Sequence, residues 1–458
     1  MDTIVAIATA PGIGGIGIVR MSGKDCFSIL EKIFVPKKKE NIDKIKGYTI
    51  KYGQIISSED GRIIDEVLVS YFKEPKSYTT ENMCEINSHG GSIVIKKILE
   101  ECLKNGAILA EPGEFTKRAF LNGRIDLSQA ESVIDIIHAK SESELNANIK
   151  QLEGYLSEEI KDIRKELIDI MVDIEASIDY PEYDIEEVTN NKALDTLNNS
   201  FKKLKKLEDS FKSGKILKEG IKTVIIGRPN AGKSSLLNTI LKEDRAIVTD
   251  IEGTTRDSIE EKVTIKGIPL NIVDTAGIRK AKDKVEKIGI EKSKKLAKEA
   301  DLLIAIFDST KELSEEDLEI LELIKQKTAI ILLNKTDLGI NILRDDINIK
   351  ESGKKIIEIS AIKRNGIEEL YEEIEKLFNL EEINLQDETI ITNIRHKELI
   401  KKAQNNILKA KETIELKMPI DIISIYIKNA LENLGEIIGE NVSENIIKEI
   451  FAKFCLGK

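Results

Sequence analysis

The chain has 458 residues, of which 70 are Lys or Arg and 81 are Asp or Glu, giving a net charge of −11. That balance excludes a uniformly basic nucleic-acid coat, so an RNA partner would have to be held by local basic patches. Cysteines at 26, 84, 102 and 455 are too few and too scattered for a disulfide framework, and no apolar run reaches the ~18 residues of a membrane span.

The first residues, Met-Asp-Thr-Ile-Val-Ala-Ile-Ala, carry neither a signal-peptide nor a transit-peptide pattern and read directly as a strand. Secreted, membrane-spanning and fibrous classes are set aside, and a cytoplasmic protein of two to four domains is expected. Residues 1–119 hold short β-branched or alternating runs at 3–8, 16–20, 48–56 and 66–72. One helix starts near Gly91, with Val94, Ile98 and Cys102 at four-residue spacing. This predicts a compact α+β domain.

From Asp126 the pattern turns helical. Ile149, Leu152, Leu156, Ile160, Ile163, Leu167, Ile170 and Ile174 form one long apolar stripe, which the proline at 181 ends. A second helical stretch is expected over about 192–212, closing near Ser213-Gly214. Residues 217–379 alternate strand and helix, as in a parallel α/β sheet, and the remainder is helical. The expected fold is therefore multidomain: an α+β N-terminal domain over 1–119, a helical bundle built from 120–216 and 380–458, and an α/β P-loop domain inserted over 217–379.

The inserted region carries the chemistry. A strand at 222–226 leads into Gly227-Arg-Pro-Asn-Ala-Gly-Lys-Ser234, a phosphate-cradling loop of the form G-x-x-x-x-G-K-[ST]. In it Asn230, Ala231, Gly232, Lys233, Ser234 and Ser235 surround the phosphates. Lys233 is placed to reach the β- and γ-phosphates, and Ser234 to supply a hydroxyl to Mg²⁺. A strand at 270–273 ends at Asp274-Thr275-Ala276-Gly277, with an aspartate for Mg²⁺ and a glycine to sense the γ-phosphate. Between the two lies Gly253-Thr-Thr-Arg-Asp257, whose Thr254 and Thr255 offer hydroxyls to metal. A strand at 329–333 ends at Asn334-Lys335-Thr-Asp337, and a carboxylate there can accept both the N1–H and the N2 amino group of guanine, a donor pair that adenine lacks. Ser360 and Ala361, after a strand at 355–359, complete the guanine edge. Together these define a GTP-binding domain.

At this point the residues resemble a known family. Gly227–Ser235, Asp250–Asp257 and the ending Phe454-Cys-Leu-Gly-Lys458 look like the tRNA-modifying GTPase family MnmE, also called TrmE. So do Pro11–Arg20, His89-Gly90-Gly91 and Pro112–Arg124. The resemblance spans the whole chain. It implies a cytosolic homodimer that works with an FAD-dependent MnmG-type partner as a heterotetramer. Together they would place an aminomethyl or carboxymethylaminomethyl group at C5 of the tRNA wobble uridine, U34. A reduced folate on the N-terminal domain would supply the one-carbon unit, and K⁺-dependent pairing of the GTPase domains would drive hydrolysis.

The residues that follow by resemblance are specific. Ile278 stands where many small GTPases have a water-orienting Gln, so the family points to Glu286 instead. No arginine finger is evident; K⁺ would take its place, held by Asn230, Thr249, Ile251 and Thr254, oxygen ligands that suit a hard cation. Thr255 would join Ser234 on Mg²⁺. Arg20, Glu85, Arg124 and Lys458 match the folate-site positions.

Other signals are weaker. Gly12-Ile-Gly-Gly-Ile-Gly17 matches G-x-G-x-x-G but continues as a strand, not the helix that a dinucleotide site requires. Cys455 fits a prenylation box poorly; its thiol is either a nucleophile or simply packed. Histidines 89, 138 and 396 are too dispersed for a metal site; His89 is either structural or part of the folate site, and His138 is expected on a helix face or in the core. Lys202, Lys203, Lys205, Lys206, Lys212, Lys215 and Lys218 read as a solvated helix face, with tRNA contact as the other reading. A ribosome-associated regulatory GTPase without modification chemistry is the alternative function.

Overall fold

A computed structural model describes residues 2–38, 47–179, 186–243, 260–265, 268–273, 296–341, 352–378 and 389–458. The chain forms two compact units: residues 1–137, 149–203 and 398–458 in one, and residues 138–148 and 204–397 in the other.

The first unit is built on a seven-stranded sheet ordered β3-β4-β5-β6-β2-β1-β7. The strands are β1 Ile4–Ile7, β2 Ile16–Ser22, β3 Phe34–Pro36, β4 Thr49–Ile56, β5 Ile63–Phe72, β6 Met83–His89 and β7 Ile108–Leu109. Helices α1 (Cys26–Ile33) and α2 (Ser92–Lys104) cover one face through Ile29, Leu30, Ile98 and Cys102, packed on Val19, Met21, Val69 and Ile86. On the β1 side, Ile4 and Ala6 meet Phe115 of α3 (Glu114–Leu121). Three helices thus stand where the sequence suggested one. The eight-residue α1 and α3 are too short to repeat an apolar period convincingly, and β6 gives a weak strand signal because, of its inward positions Cys84, Ile86 and Ser88, only Ile86 is β-branched.

The helices that follow, whose residues are divided between the two units, correct the single long stripe. Helix α4 (Leu127–His138) precedes α5 (Glu142–Glu153), and α6 (Tyr155–Asp179) begins after a break at Gly154, whose φ is +98°. The Gly154 N–H closes the preceding turn on the Gln151 carbonyl at 3.1 Å, while its own carbonyl accepts from Glu158 at 2.9 Å. A glycine is the residue that takes this left-handed junction without strain. The stripe from Leu156 to Ile174 is buried as expected, but Ile149 is exposed. α7 (Glu186–Glu219) then runs straight through Gly214. There, a Cβ would stand 2.1 Å from the Ile391 carbonyl oxygen, so Gly214 permits a close approach and does not end the helix.

The second unit centres on a six-stranded sheet ordered β13-β12-β11-β8-β10-β9, parallel apart from the β9–β10 pair. Its strands are β8 Ile221–Ile226, β9 Glu260–Ile265, β10 Ile268–Val273, β11 Leu302–Asp308, β12 Ala329–Asn334 and β13 Lys355–Glu358. Every residue of β11 and β12 is buried. Alternate side chains feed two cores: Leu302, Ile304 and Ile306 pack with α8 (Lys233–Glu243) and α10 (Ile367–Phe378), while Leu303, Ala305 and Phe307 pack with α9 (Glu315–Ile324). A strand covered on both faces reads as an unbroken apolar run. Further helices among the described residues include α11 Ile394–Glu415, α12 Ile420–Ile438 and α13 Glu444–Phe451. Phe451 and Phe454 pack with Ala119, Ile125 and Leu127, which brings the C-terminal end of the chain onto α3 and α4 within the first unit.

Candidate nucleotide site and a second charged cluster

In the second unit, β8 delivers the loop 227–232 and α8 opens at Lys233. Two glycines fix the loop. A Cβ on Gly227 would lie 2.4 Å from the Ile306 oxygen, so the loop starts pressed against β11. Gly232 has φ +108°, and a Cβ there would lie 2.0 Å from Asn334 Nδ2. Asn230 takes φ +63° at the exposed tip. Lys233 Nζ donates to the Gly227 and Arg228 carbonyls at 2.6 and 2.7 Å, which centres its ammonium on the loop. Ser234, in the first turn of α8, is exposed.

The base-side motifs converge on the same loop. Asn334 is 2% exposed; its Nδ2 donates to the Ala231 carbonyl at 2.9 Å and its Oδ1 accepts from Ala361 N–H at 3.0 Å. This one side chain ties the phosphate loop to the segment after β13. Ser360 Oγ donates to Asp337 Oδ1 at 2.7 Å, which orients the carboxylate. Lys335, at φ +68°, pairs with Asp308 at 2.6 Å. Thr239 Oγ1 of α8 donates to the Ala361 carbonyl at 2.7 Å. Asn230, Ala231, Gly232, Lys233, Ser234, Asn334, Lys335, Asp337, Ser360 and Ala361 therefore belong to one loop cluster at one end of the sheet. Thr249, Ile251, Thr254, Thr255, Asp274, Thr275, Ala276, Gly277 and Glu286 lie outside the described residues.

Asp308, Arg228 and Asp317 went unnoticed in the sequence. Burial pushes the Asp308 carboxyl up, but hydrogen bonds from Lys335 and Thr310 outweigh it and hold the group below the usual carboxylate value. A depressed folded value means that the unfolded chain binds the proton more readily. The contribution is present above about pH 4 and is lost as pH falls below that. The Tm of the transition that GTP raises should therefore fall less on acidification in Asp308→Asn than in wild type; equal acid limbs would remove Asp308 from this role.

In the first unit, β2 and β6 are paired so that Arg20 stands opposite Glu85. Arg20 Nε and Nη2 reach Glu85 Oε1 at 2.9 and 2.8 Å, and Nη1 donates to the Gly457 carbonyl at 3.0 Å. The Arg20 guanidinium lies 5.8 Å from the Tyr78 ring and 5.6 Å from that of Phe115, and Arg124 lies 4.8 Å from Tyr78. Register and the docked C-terminal segment thus gather Arg20, Glu85, Arg124 and the chain end next to Lys458. Sequence reading missed Tyr78, and also Arg118. The latter is 3% exposed and pairs with Glu81 at 3.1 Å and Glu114 at 2.8 Å. Cys455 is exposed, unlike the buried Cys26, Cys84 and Cys102. His89 is exposed and pairs with Asp65 at 2.8 Å, and His138 is exposed at the end of α4. Lys203, Lys205 and Lys215 form ion pairs with Glu166, with Glu208 and Asp209, and with Glu219, as a solvated helix face does. Among the described residues, no helix is long and apolar enough to cross a membrane.

A mainly parallel sheet with a phosphate loop opening a helix and an Asn-Lys-x-Asp edge clamped to it defines a P-loop GTPase. A family model described as "MnmE helical domain" matches residues 127–455, and one described as "GTP-binding protein TrmE N-terminus" matches residues 3–124. A protein of Acetivibrio thermocellus named "tRNA modification GTPase MnmE" is 51% identical, covering 100% of this chain and 99% of the relative. The protein of that name from Clostridioides difficile is also 51% identical with the same coverage. The chain belongs to the MnmE family of tRNA modification GTPases.

Proposed function

We propose that this chain couples GTP hydrolysis to the modification of tRNA at C5 of the wobble uridine, U34, using a one-carbon unit from a reduced folate. The observation that carries this reading is the Arg20–Glu85 cluster closed by the C-terminal segment at Gly457, in a chain that also holds a guanine-nucleotide site. Family membership supports the partner and product: an FAD-dependent MnmG-type protein, a homodimer within a heterotetramer, a cytoplasmic setting, and an aminomethyl or carboxymethylaminomethyl group on tRNA. In this reading residues 1–119 serve folate, 217–379 serve GTP, and 120–216 with 380–458 form the helical frame.

At the nucleotide, the loop amides and Lys233 hold the phosphates and Asp337 reads guanine. Ser234, exposed at the start of α8, would hold Mg²⁺ together with Thr255 and Asp274, hydroxyl and carboxylate oxygens of the kind that ion takes, and the ion would neutralise charge on the β- and γ-phosphates. By family resemblance, Asn230 at the exposed loop tip and oxygens of Thr249, Ile251 and Thr254 would hold K⁺, which would supply positive charge near the bridging oxygen. Glu286 orients the attacking water, a role the aliphatic Ile278 cannot fill. Glu286→Ala should leave GTP affinity within about three-fold while lowering kcat by roughly a hundred-fold or more. Wild-type turnover in that variant would remove Glu286 from the mechanism.

At the folate, the Glu85 carboxylate suits a pterin donor edge, and Arg20, Arg124 and Lys458 suit glutamyl carboxylates. Arg20 and Glu85 hold each other here, so a ligand takes over a pair that is already aligned and largely desolvated. The exposed Cys455 thiol is the candidate nucleophile on the same segment. Calorimetric titration with a reduced folate tests the site. Arg20→Ala is expected to weaken binding by about ten-fold or more, in line with loss of a charged hydrogen bond. No binding to wild type, or unchanged binding in the variant, would reject it.

A further inference from the structure

The segment that joins β11 to α9 touches both ends of the nucleotide site. Where it leaves β11, the last strand residue, Asp308, holds Lys335 at 2.6 Å on the guanine side. Its neighbours fasten the loop after β12: Ser309 N–H donates to the Asn334 carbonyl at 2.9 Å, and Asn341 N–H donates to the Ser309 carbonyl at 2.6 Å. At the other end, Asp317 closes a capping box at the start of α9. Its Oδ2 accepts from Ser314 N–H at 3.0 Å and Ser314 Oγ at 2.9 Å. The same oxygen accepts Arg228 Nε at 2.9 Å, with the Asp317 side chain 3% exposed.

Arg228 is the second residue of the phosphate loop, and its carbonyl, with that of Gly227, receives Lys233 Nζ. The main chain of Arg228 therefore positions the loop lysine while its side chain is anchored to the N-terminus of α9. A carboxylate at a helix N-terminus is favoured by the aligned peptide dipoles, and a buried one is tolerated when donors surround it. These conditions give the guanidinium one fixed place to sit. With Gly227 pressed against Ile306, the loop has little freedom to slide along the sheet.

We propose that Arg228 and Asp317 are a positioning pair for GTP, setting the carbonyls that aim Lys233 at the phosphates and linking that placement, through residues 308–317, to the guanine-side loop. The proposal rests on the reading of this site as GTP-binding, and GTP binding to the wild-type chain tests that reading separately.

The test is a double-mutant cycle on the full-length chain, reading Kd with a fluorescent GTP analogue alongside Tm. Asp317→Asn keeps an oxygen for Ser314 but removes the charge, and Arg228→Ala removes the other partner. Each single variant is expected to weaken GTP binding roughly ten-fold, and the double variant by the same roughly ten-fold, as groups acting as one unit do. Ser314→Ala, which breaks the cap and leaves the ion pair, should lower Tm and leave Kd unchanged. Unchanged affinity in the single variants would overturn the proposal. So would losses that add to about a hundred-fold, or a Ser314→Ala variant that weakens GTP binding as much as Asp317→Asn. Should Arg228→Ala not fold, Asp317→Asn against Ser314→Ala still decides.

Discussion

Asp337→Asn is expected to lower GTP affinity by about a hundred-fold or more while raising affinity for XTP, because each charge-assisted hydrogen bond contributes roughly 1.5–3 kcal/mol. The carboxylate is held by Ser360 Oγ at 2.7 Å and is 14% exposed, so it is oriented before any base arrives. Both its oxygens accept, which matches the N1–H and N2 amino donors of guanine. An asparagine amide offers one acceptor and one donor. Its NH₂ would face the N2 amino group of guanine but could donate to the C2 carbonyl of xanthine. Competition binding of GTP and XTP to the full-length variant measures the switch. GTP affinity within about three-fold of wild type, where loss of even one such bond predicts ten-fold or more, would remove Asp337 from base recognition.

Gly232→Ala is the second large effect. The backbone there sits at φ +108°, a region costing a side chain about 1–3 kcal/mol. The new Cβ would also stand 2.0 Å from Asn334 Nδ2. Asn334 cannot yield cheaply, because moving it breaks its buried bonds to Ala231 and Ala361, each leaving a polar group unpaired at about 1–3 kcal/mol. The expected result is loss of measurable GTP binding and a lower Tm for the GTP-sensitive transition. Gly339→Ala is the control: its φ is +128° but nothing lies within 4 Å, so it carries the backbone strain without the collision. Equal effects on GTP binding in the two variants would show that the collision with Asn334 is not what matters.

The nucleotide site was legible because its parts are local. A phosphate loop needs glycines and a lysine within eight residues of one strand, and Asn-Lys-x-Asp is contiguous. The doubly buried strands β11 and β12 also announce themselves as apolar runs. Arg228 and Asp317 were not legible, since an ion pair between a loop and a distant helix cap leaves no spacing to read. Arg20 and Glu85 are joined by the register of β2 and β6, and Gly457 by docking of the chain end, neither of which has a local signature. They entered only through resemblance. Glycine misled in both directions: Gly154 breaks a helix inside an unbroken apolar stripe, whereas Gly214 looked like a terminator but lies inside α7, five residues before its end. A glycine marks either a positive φ or a close approach, and sequence does not distinguish them.

The central claim, that this GTPase acts in tRNA wobble-uridine modification, is tested most directly by mass spectrometry of tRNA nucleosides from cells lacking the chain. The expected result is loss of C5-modified wobble uridines, restored by the wild-type chain but not by Asp274→Ala. Unchanged wobble uridines in the deleted cells, or full restoration by Asp274→Ala, would contradict it.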